Sequence, residues 1–166
     1  MCFYLLLKVN IYILNMNQIH KNNVKEGREN EEMVLNYLNR KEERWISRPE
    51  YSVIDFSHTS KNKQAELKSR KFKSSAFPDW QIGANKIQEM VDNPNTEYIV
   101  YFLFYDGLFY WKFHWTKLMT DCEYRMGGTI KRGRDETKKN VFIRKECLTK
   151  LTDKIKYPED FDKCML

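Results

Sequence analysis

The segment QAELKS, residues 64–69, is a short extended run in which an acid and a lysine stand two positions apart. Side chains two residues apart leave the same face of a β-strand, so Glu66 and Lys68 point together while the residues between and beside them point away. The tripeptide Glu-x-Lys is also a common solvated charge pair. The residues around it therefore decide what this strand does.

A second strand-like run, YSVIDF at residues 51–56, carries one acid, Asp55, among apolar residues. The polar residues 58–63 between the two runs predict a hairpin loop. If the runs pair as an antiparallel hairpin, Asp55 and Glu66 converge, with Lys68 beside them. Two carboxylates and a lysine in this arrangement are what a divalent-metal phosphodiesterase needs.

Composition indicates one globular domain, because 166 residues that are 42% hydrophobic can bury a sizeable core. The formal net charge of +6 comes from lysines spread along the chain and favours polyanionic partners such as nucleic acid. Four cysteines and three histidines are scattered without metal-ligand spacing, which argues against structural zinc. We expect reduced thiols in an intracellular protein, cytoplasmic, nucleoid-associated or nuclear, or encoded by a virus or mobile element.

Residues 1–15 form an apolar leader interrupted by Lys8 and Asn10. The run is too short and too broken to span a bilayer, and it lacks the features of a signal peptide. Either Met16 is the native start, or the leader is a swapped or capping strand. Residues 16–166 are predicted to form a single domain.

A helix is predicted over residues 24–40, capped by Asn22 or Asn23. Helical spacing places Glu31 within its apolar stripe, where an acid is costly unless something pairs with it. Two interpretations stay open: Glu31 belongs to a site, or it is a carboxylate that interacts with the dipole at the helix start. The stripe consists of Val34, Leu35 and Leu38.

Lys68 opens a basic stretch that leaves the Glu66 strand directly and is well placed to hold phosphates. The alternative interpretation is that these charged residues form an ordinary solvent-exposed surface that binds nothing. The predicted nucleic-acid-binding residues are Arg70, Lys71, Lys73 and Ser75.

The remaining chain predicts an α/β protein built on a mixed sheet. The glycine-rich basic loop 127–134 lacks a phosphate-cradle motif. The expected elements are strand 45–47, a helix from Asp79 to Asp92, strand 98–105, a turn at 106–107, strand 108–115, an edge strand at 140–143 and a helix over 145–154.

A helix acid, a strand Asp, and then Glu-x-Lys followed by a helix resemble the PD-(D/E)xK, or restriction-endonuclease-like, nuclease superfamily over residues 24–115. The link 68–78 with its Phe-Pro pair is similar to that of RecU-type Holliday-junction resolvases. The Gly27-x-x-x-Glu31 spacing resembles the first helix of archaeal junction resolvases. The resemblance implies a mixed central sheet flanked by helices in αβββαβ order.

The resemblance also implies a function, that of an endonuclease dependent on Mg²⁺ or Mn²⁺. Its role would be structure-specific cleavage or junction resolution in DNA repair and recombination. The partner would be nucleic acid, above all DNA, and not a membrane; whether the protein forms a homodimer is left open. Asp55, Glu66 and the Leu67 carbonyl would bind the metal, and Lys68 would flank the attacking water. The other catalytic candidates are Glu31, as an outer carboxylate, and Lys86, where the second helix often carries glutamine.

Two features depart from this pattern or compete with it. Ile54 precedes Asp55 where the motif has proline, and the literal Pro78-Asp79 is followed by a second Glu-x-Lys at 136–138. That tripeptide lies in a charged, glycine-flanked loop without strand character, so it makes a poor site.

Two other functions remain alternatives. One is a non-catalytic nucleic-acid-binding domain with the same fold, which would lack metal binding. The other is a metal-independent ribonuclease that uses His20, His58 or His114 as acid and base.

Overall fold

The computed structural model describes residues 2–40, 44–127 and 138–158, with side chains from residue 21 onward. Within these ranges the chain is α/β, with three helices, a six-stranded mixed sheet and a three-stranded antiparallel sheet. The elements are α1 (Cys2–Asn39), β1 (Trp45–Ser47), β2 (Phe56–His58), β3 (Lys63–Ser69), β4 (Asp79–Gly83), α2 (Ala84–Asp92), β5 (Glu97–Phe104), β6 (Gly107–Lys112), α3 (Trp115–Asp121), β7 (Cys122–Gly127), β8 (Lys138–Arg144) and β9 (Thr149–Thr152).

The large sheet has the strand order β1-β2-β3-β5-β6-β9. The hairpin predicted from the sequence forms: β2 and β3 pair antiparallel, with Phe56 opposite Ala65. Strands β3 and β5 run parallel, and the chain between them carries β4 and α2. A crossover of this kind places α2 over one face of the sheet.

Strand β5 is the centre of the protein, because every residue after Glu97 in it is buried. The run is apolar on both faces, as expected for a strand covered from two sides. Val34 and Leu38 of α1 cover one face, whereas α2 and the small sheet cover the other. Gly107, with φ 136°, makes the turn from β5 into β6 in a conformation that favours glycine.

The prediction that Asp79 begins a helix is wrong. Residues 79–83 form β4, which pairs antiparallel with β8, and α2 begins only at Ala84. Trp80 and Ile82 alternate with more exposed neighbours and are both buried in the core under the large sheet. The period of two, rather than the capping potential of an aspartate, determined this element.

Two further expectations fail in the last third of the chain. Residues 140–143 are not an edge strand, because β8 lies between β4 and β7. The predicted helix over 145–154 is one 3-10 turn at Lys145–Cys147 followed by β9. Helix α3 and strand β7 were not predicted. Short elements of this kind carry weak local signals and form through tertiary pairing.

Residues 128–137 lie outside the described part of the chain. They include all of the glycine-rich loop except Gly127 and all of the second Glu-x-Lys except Lys138. The leader side chains also lie outside the described part, although the helix α1 already begins at Cys2. No helix in the described ranges has the length and apolar character needed to cross a bilayer.

Candidate active site

The sequence pattern placed Asp55 within a strand. In the structure Asp55 lies in a bend immediately before β2. The β2–β3 ladder stops at the pair Phe56–Ala65, so β2 does not reach the backbone of Leu67. The Asp55 carboxylate takes the place of the missing backbone acceptor from β2: its Oδ2 accepts a hydrogen bond from the Leu67 N–H at 2.8 Å. This bond fixes Asp55 next to the residue that follows Glu66.

Glu66 lies in the middle of β3 and is 0% exposed. Two lysines approach its carboxylate: Lys68 Nζ is 2.5 Å from Oε1, and Lys86 Nζ is 3.0 Å from Oε2. The same Lys86 nitrogen lies 4.0 Å from Asp55 Oδ1 and donates to the Val53 carbonyl. The structure therefore brings both acids of the hairpin together with Lys68 and with Lys86 from the first turn of α2.

The buried Glu66 carboxylate is held by charge rather than by hydrogen bonds of regular geometry. Neither oxygen accepts such a bond from the described residues, although both lie within ion-pair distance of an ammonium group. Burial raises the pKa of Glu66, the charges of Lys68 and Lys86 oppose the rise, and the nearby Asp55 adds to it. A carboxylate in this state requires a cation next to it.

Glu31 approaches the same cluster from α1. The helix begins at Cys2, many turns before Glu31, so the interpretation of Glu31 as a first-turn dipole carboxylate is wrong. Burial is the largest cause that raises the pKa of Glu31, and the negative charges of Asp55 and Glu66 raise this pKa further. The positive charges of Lys68 and Arg28 lower this pKa. Glu31 therefore interacts electrostatically with the hairpin acids.

The oxygen donors near the hairpin determine which cation could bind there. No group of three or more His, Cys, Asp and Glu side chains in the described chain could hold a metal ion. The donors near the hairpin are thus two carboxylates and the Leu67 carbonyl. That carbonyl leaves β3 on the Asp55 side, because the N–H and C=O of one strand residue face the same neighbour. These hard oxygens suit Mg²⁺ or Mn²⁺, which keep several water ligands.

A cleft of about 730 Å³ lies between α1 and the segment 47–56, with Glu31 and Asp55 on its wall. Tyr51 also lines the cleft and is 95% exposed. Arg28 pairs with Glu50, and Arg48 donates to the Gln64 side chain at 2.6 Å. The sequence indicated no binding role for Tyr51 or Arg48, because the first was part of a strand-like run and the second of a Pro-containing turn.

The basic stretch after β3 divides into two kinds of residue. Lys71, Lys73 and Ser75 are exposed, and the Lys71 ammonium lies 2.9 Å from Glu26. Arg70 instead turns inward, where its guanidinium donates to the Gln81 carbonyl at 2.6 Å and to the Ser69 carbonyl at 3.2 Å. Arg70 therefore ties β3 to β4 rather than presenting its charge to a ligand.

Comparison of the chain with protein-family models, curated proteins and solved structures finds no match.

The electrostatics of Glu31 predict a pH-dependent change in stability. A carboxyl whose pKa is raised on folding favours the folded state only at low pH, and that contribution is lost as pH rises through the folded pKa. Because water screens the half-buried Glu31, Glu31→Gln should be more stable than the parent protein at pH 7 by no more than about 1 kcal/mol. The two proteins should unfold alike near pH 3.5. Urea unfolding at both pH values measures this, with the exposed Glu32→Gln as control; an equal response of both variants at pH 7 would contradict it.

Proposed function

We propose that this protein is a Mg²⁺-dependent endonuclease of the PD-(D/E)xK type that hydrolyses phosphodiester bonds in nucleic acid, with DNA as the favoured substrate. The observation that supports this most is the fully buried Glu66, flanked by Lys68 and Lys86 and adjacent to Asp55. A buried acid is costly, and a purely structural role is served better by an apolar residue. Clusters of this kind concentrate at functional sites.

Each residue of the cluster has a role in the proposed reaction. Asp55, Glu66 and the Leu67 carbonyl would hold the cation, which supplies charge neutralisation and a more acidic bound water. Lys68, partly exposed beside Glu66, would offset the negative charge at the phosphate and orient the attacking water. Lys86 lies between the two acids and would hold them next to each other. Glu31 would act as an outer carboxylate from α1.

The surroundings of the cluster suit a polyanionic chain. The cleft beside Asp55 and Glu31 is open and large enough for a nucleotide, with an exposed aromatic ring in its lining. Lys71 and Lys73 follow the catalytic strand and expose their charge. Phosphates bound there would lie next to the end of β3.

The histidine-based alternative gains no support from the described histidines. The two ring nitrogens of His58 face the backbone N–H groups of Arg44 and Ser60, of which a neutral ring can accept one, and the ring packs edge-on against Trp45. His114 caps α3 by accepting from the Thr116 N–H. Both rings serve local structure, and the His20 side chain lies outside the described residues.

The decisive experiment is a cleavage panel of branched, linear duplex and single-stranded DNA together with RNA, with Mg²⁺ and with EDTA. We expect cleavage of DNA with Mg²⁺ and none with EDTA, because the hairpin acids need the cation to act. Preferential cutting of four-way junctions would assign the finer function of a Holliday-junction resolvase. Activity that survives EDTA would refute the metal mechanism, and binding without cleavage would identify a non-catalytic domain.

A thermal-shift titration separates metal binding from turnover. A ligand at ten times its dissociation constant stabilises the folded state by about 1.4 kcal/mol. Mg²⁺ should therefore raise the melting temperature of the parent protein and leave that of Asp55→Asn unchanged. The control is Asp92→Asn, an exposed acid at the end of α2, which should respond as the parent does.

The exposed lysines should contribute to binding and not to chemistry. Replacing Lys71 and Lys73 with alanine should weaken DNA binding and flatten its salt dependence, by about 0.9 in log–log slope for each duplex phosphate that the variant no longer neutralises. The matched control replaces Lys138 and Lys139, two exposed lysines of the small sheet. Fluorescence anisotropy over a salt series in Ca²⁺ measures the slope. Equal slopes for both double variants would show that Lys71 and Lys73 do not touch the backbone.

A further inference from the structure

The loop between β3 and β4, residues 70–78, exposes two phenylalanine rings that touch each other. Phe72 is 47% exposed and Phe77 is 44% exposed, and the ring centroids lie 4.9 Å apart with the ring planes at 83°. The Phe77 ring also packs edge-on against the buried Trp80, at 5.4 Å between centroids. Single exposed apolar residues are normal on a protein surface, but two adjoining aromatic rings form a patch that a ligand can cover.

Hydrogen bonds hold this loop in place. The Tyr105 N–H donates to the Phe72 carbonyl at 3.0 Å. Ser74 donates to the Asp106 carboxylate through its N–H at 2.8 Å and through its hydroxyl at 2.6 Å. The Trp80 indole N–H donates to the Ser74 carbonyl at 3.1 Å. The rings are therefore presented on a preorganised loop, which lowers the entropy cost of binding a ligand there.

The charge next to the rings is positive. Lys73 directly follows the first ring in the loop and is exposed. The two acids that adjoin the loop are engaged within the chain, because Asp106 accepts from Ser74 and Asp79 pairs with Arg125. The loop thus combines flat apolar rings with an ammonium group. This combination suits a ligand that carries both flat ring systems and negative charge, as a nucleic-acid strand does.

The rings lie on the face of the large sheet that carries Lys68. Lys68 is opposite Phe102 of β5 in the parallel ladder, and Phe102 belongs to the same core cluster as Trp80. Phe72 follows Lys68 by four residues, so their Cα atoms are no more than about 14 Å apart. That distance corresponds to about four nucleotides of a strand in duplex geometry. One bound strand can therefore contact both the rings and the proposed active site.

We propose that Phe72 and Phe77 stack against unpaired bases, and that the substrate carries a single-stranded segment next to the bond that is cut. A base within a duplex has both faces covered by its neighbours, so only an unpaired base offers its face to a side chain. The inference rests on the proposed function for one point, that the ligand is nucleic acid. It narrows the substrate class to nucleic acid with unpaired bases and excludes uninterrupted duplex.

Phe72→Leu tests the stacking, because leucine keeps an apolar side chain and removes the aromatic face. Its dissociation constant for a short oligothymidine should rise about 5-fold or more, the lower end of the usual cost of one lost base–aromatic stack. Its affinity for a closed duplex circle, which has no ends, should stay as in the parent protein. Phe77→Leu should behave alike, and Phe72→Trp should keep the parent affinity for the oligothymidine.

Fluorescence anisotropy in EDTA measures these affinities without metal or turnover, and circular dichroism verifies that each variant is folded. The control is Trp115→Ala, which removes a half-exposed ring at the start of α3 and should bind both ligands as the parent does. An unchanged oligothymidine affinity of Phe72→Leu would overturn the proposal. An equal loss for the oligothymidine and the duplex circle, or an equal loss in Trp115→Ala, would overturn it as well.

Photocross-linking locates the contact directly. Irradiation of an oligothymidine with one 5-iodouracil joins that base to an aromatic ring stacked on it, and mass spectrometry should find the cross-link at Phe72 or Phe77. Cross-links found only outside residues 70–78 would contradict the proposal. Cross-linking at these rings without any cleavage would refute the nuclease and leave the stacking in place. Cleavage by a protein whose Phe72→Leu variant binds as the parent does would have the opposite meaning.

Discussion

Glu66→Gln should lower the single-turnover cleavage rate of bound DNA by about 10²–10³-fold, or roughly 2.7–4 kcal/mol of barrier. Glutamine keeps the shape of the side chain but removes the charge that both lysines and the proposed cation would require. Binding in Ca²⁺ should change little if Lys71 and Lys73 hold the phosphates as proposed. The measurement pairs single-turnover cleavage at saturating protein with equilibrium binding.

Glu97→Gln is the matched control for this variant. Glu97 opens the neighbouring strand β5, and its carboxylate pairs with the mostly covered Lys63 and with the exposed Lys112. It should cleave as the parent protein does. Lys68→Met should resemble Glu66→Gln in rate. Normal cleavage by Glu66→Gln would show that the Glu-x-Lys strand has no catalytic role.

Phe102→Ala should lower the free energy of unfolding by about 3–5 kcal/mol, the usual cost of an aromatic cavity in a core. Phe102 is fully buried in β5, stacks on Phe104 at 5.9 Å between centroids, and lies opposite Lys68 of β3 in the parallel ladder. A cavity there should also loosen the strand that carries Glu66. Urea denaturation measures the stability, and activity should fall with it.

Phe72→Ala provides the comparison with an exposed phenylalanine. Phe72 lies in the loop after β3, about half exposed, with its ring against Phe77. Its replacement should cost less than about 1 kcal/mol, since little apolar area is removed from the core. A similar destabilisation by both variants would mean that β5 is not the centre of the core.

The hairpin of β2 and β3 shows how much of the fold a local sequence pattern can predict. Residues 64–69 alternate, 58–63 are polar and 51–56 are strand-like, and those features predicted the antiparallel pairing of β2 with β3. The position of Asp55 was less well predicted, because the sequence cannot show where a ladder stops. Its contact with the Leu67 N–H follows from β2 beginning only at Phe56.

Glu31 and Arg70 show the opposite case. The sequence left two interpretations of Glu31, and the start of α1 at Cys2 excludes the one that placed it in the first turn of the helix. Arg70 belongs to a basic run, and nothing local distinguishes it from Lys71 or Lys73. Only the position of the Gln81 carbonyl, brought next to it by the folding of β4, turns its guanidinium inward.

The sequence by itself determined the α/β class, the hairpin of β2 and β3 and the buried central strand, because periodicity and apolar runs act over a few neighbouring residues. The tertiary structure decided the small sheet, the inward turn of Arg70 and the approach of Lys86 to Glu66. Each of these joins segments far apart in the chain. The alternation around Trp80 and Ile82 and the strand-like run at 140–143 allow these segments to form strands, but only tertiary folding decides that β4 and β8 pair with each other, because each supplies the hydrogen bonds of the other from far away in the chain.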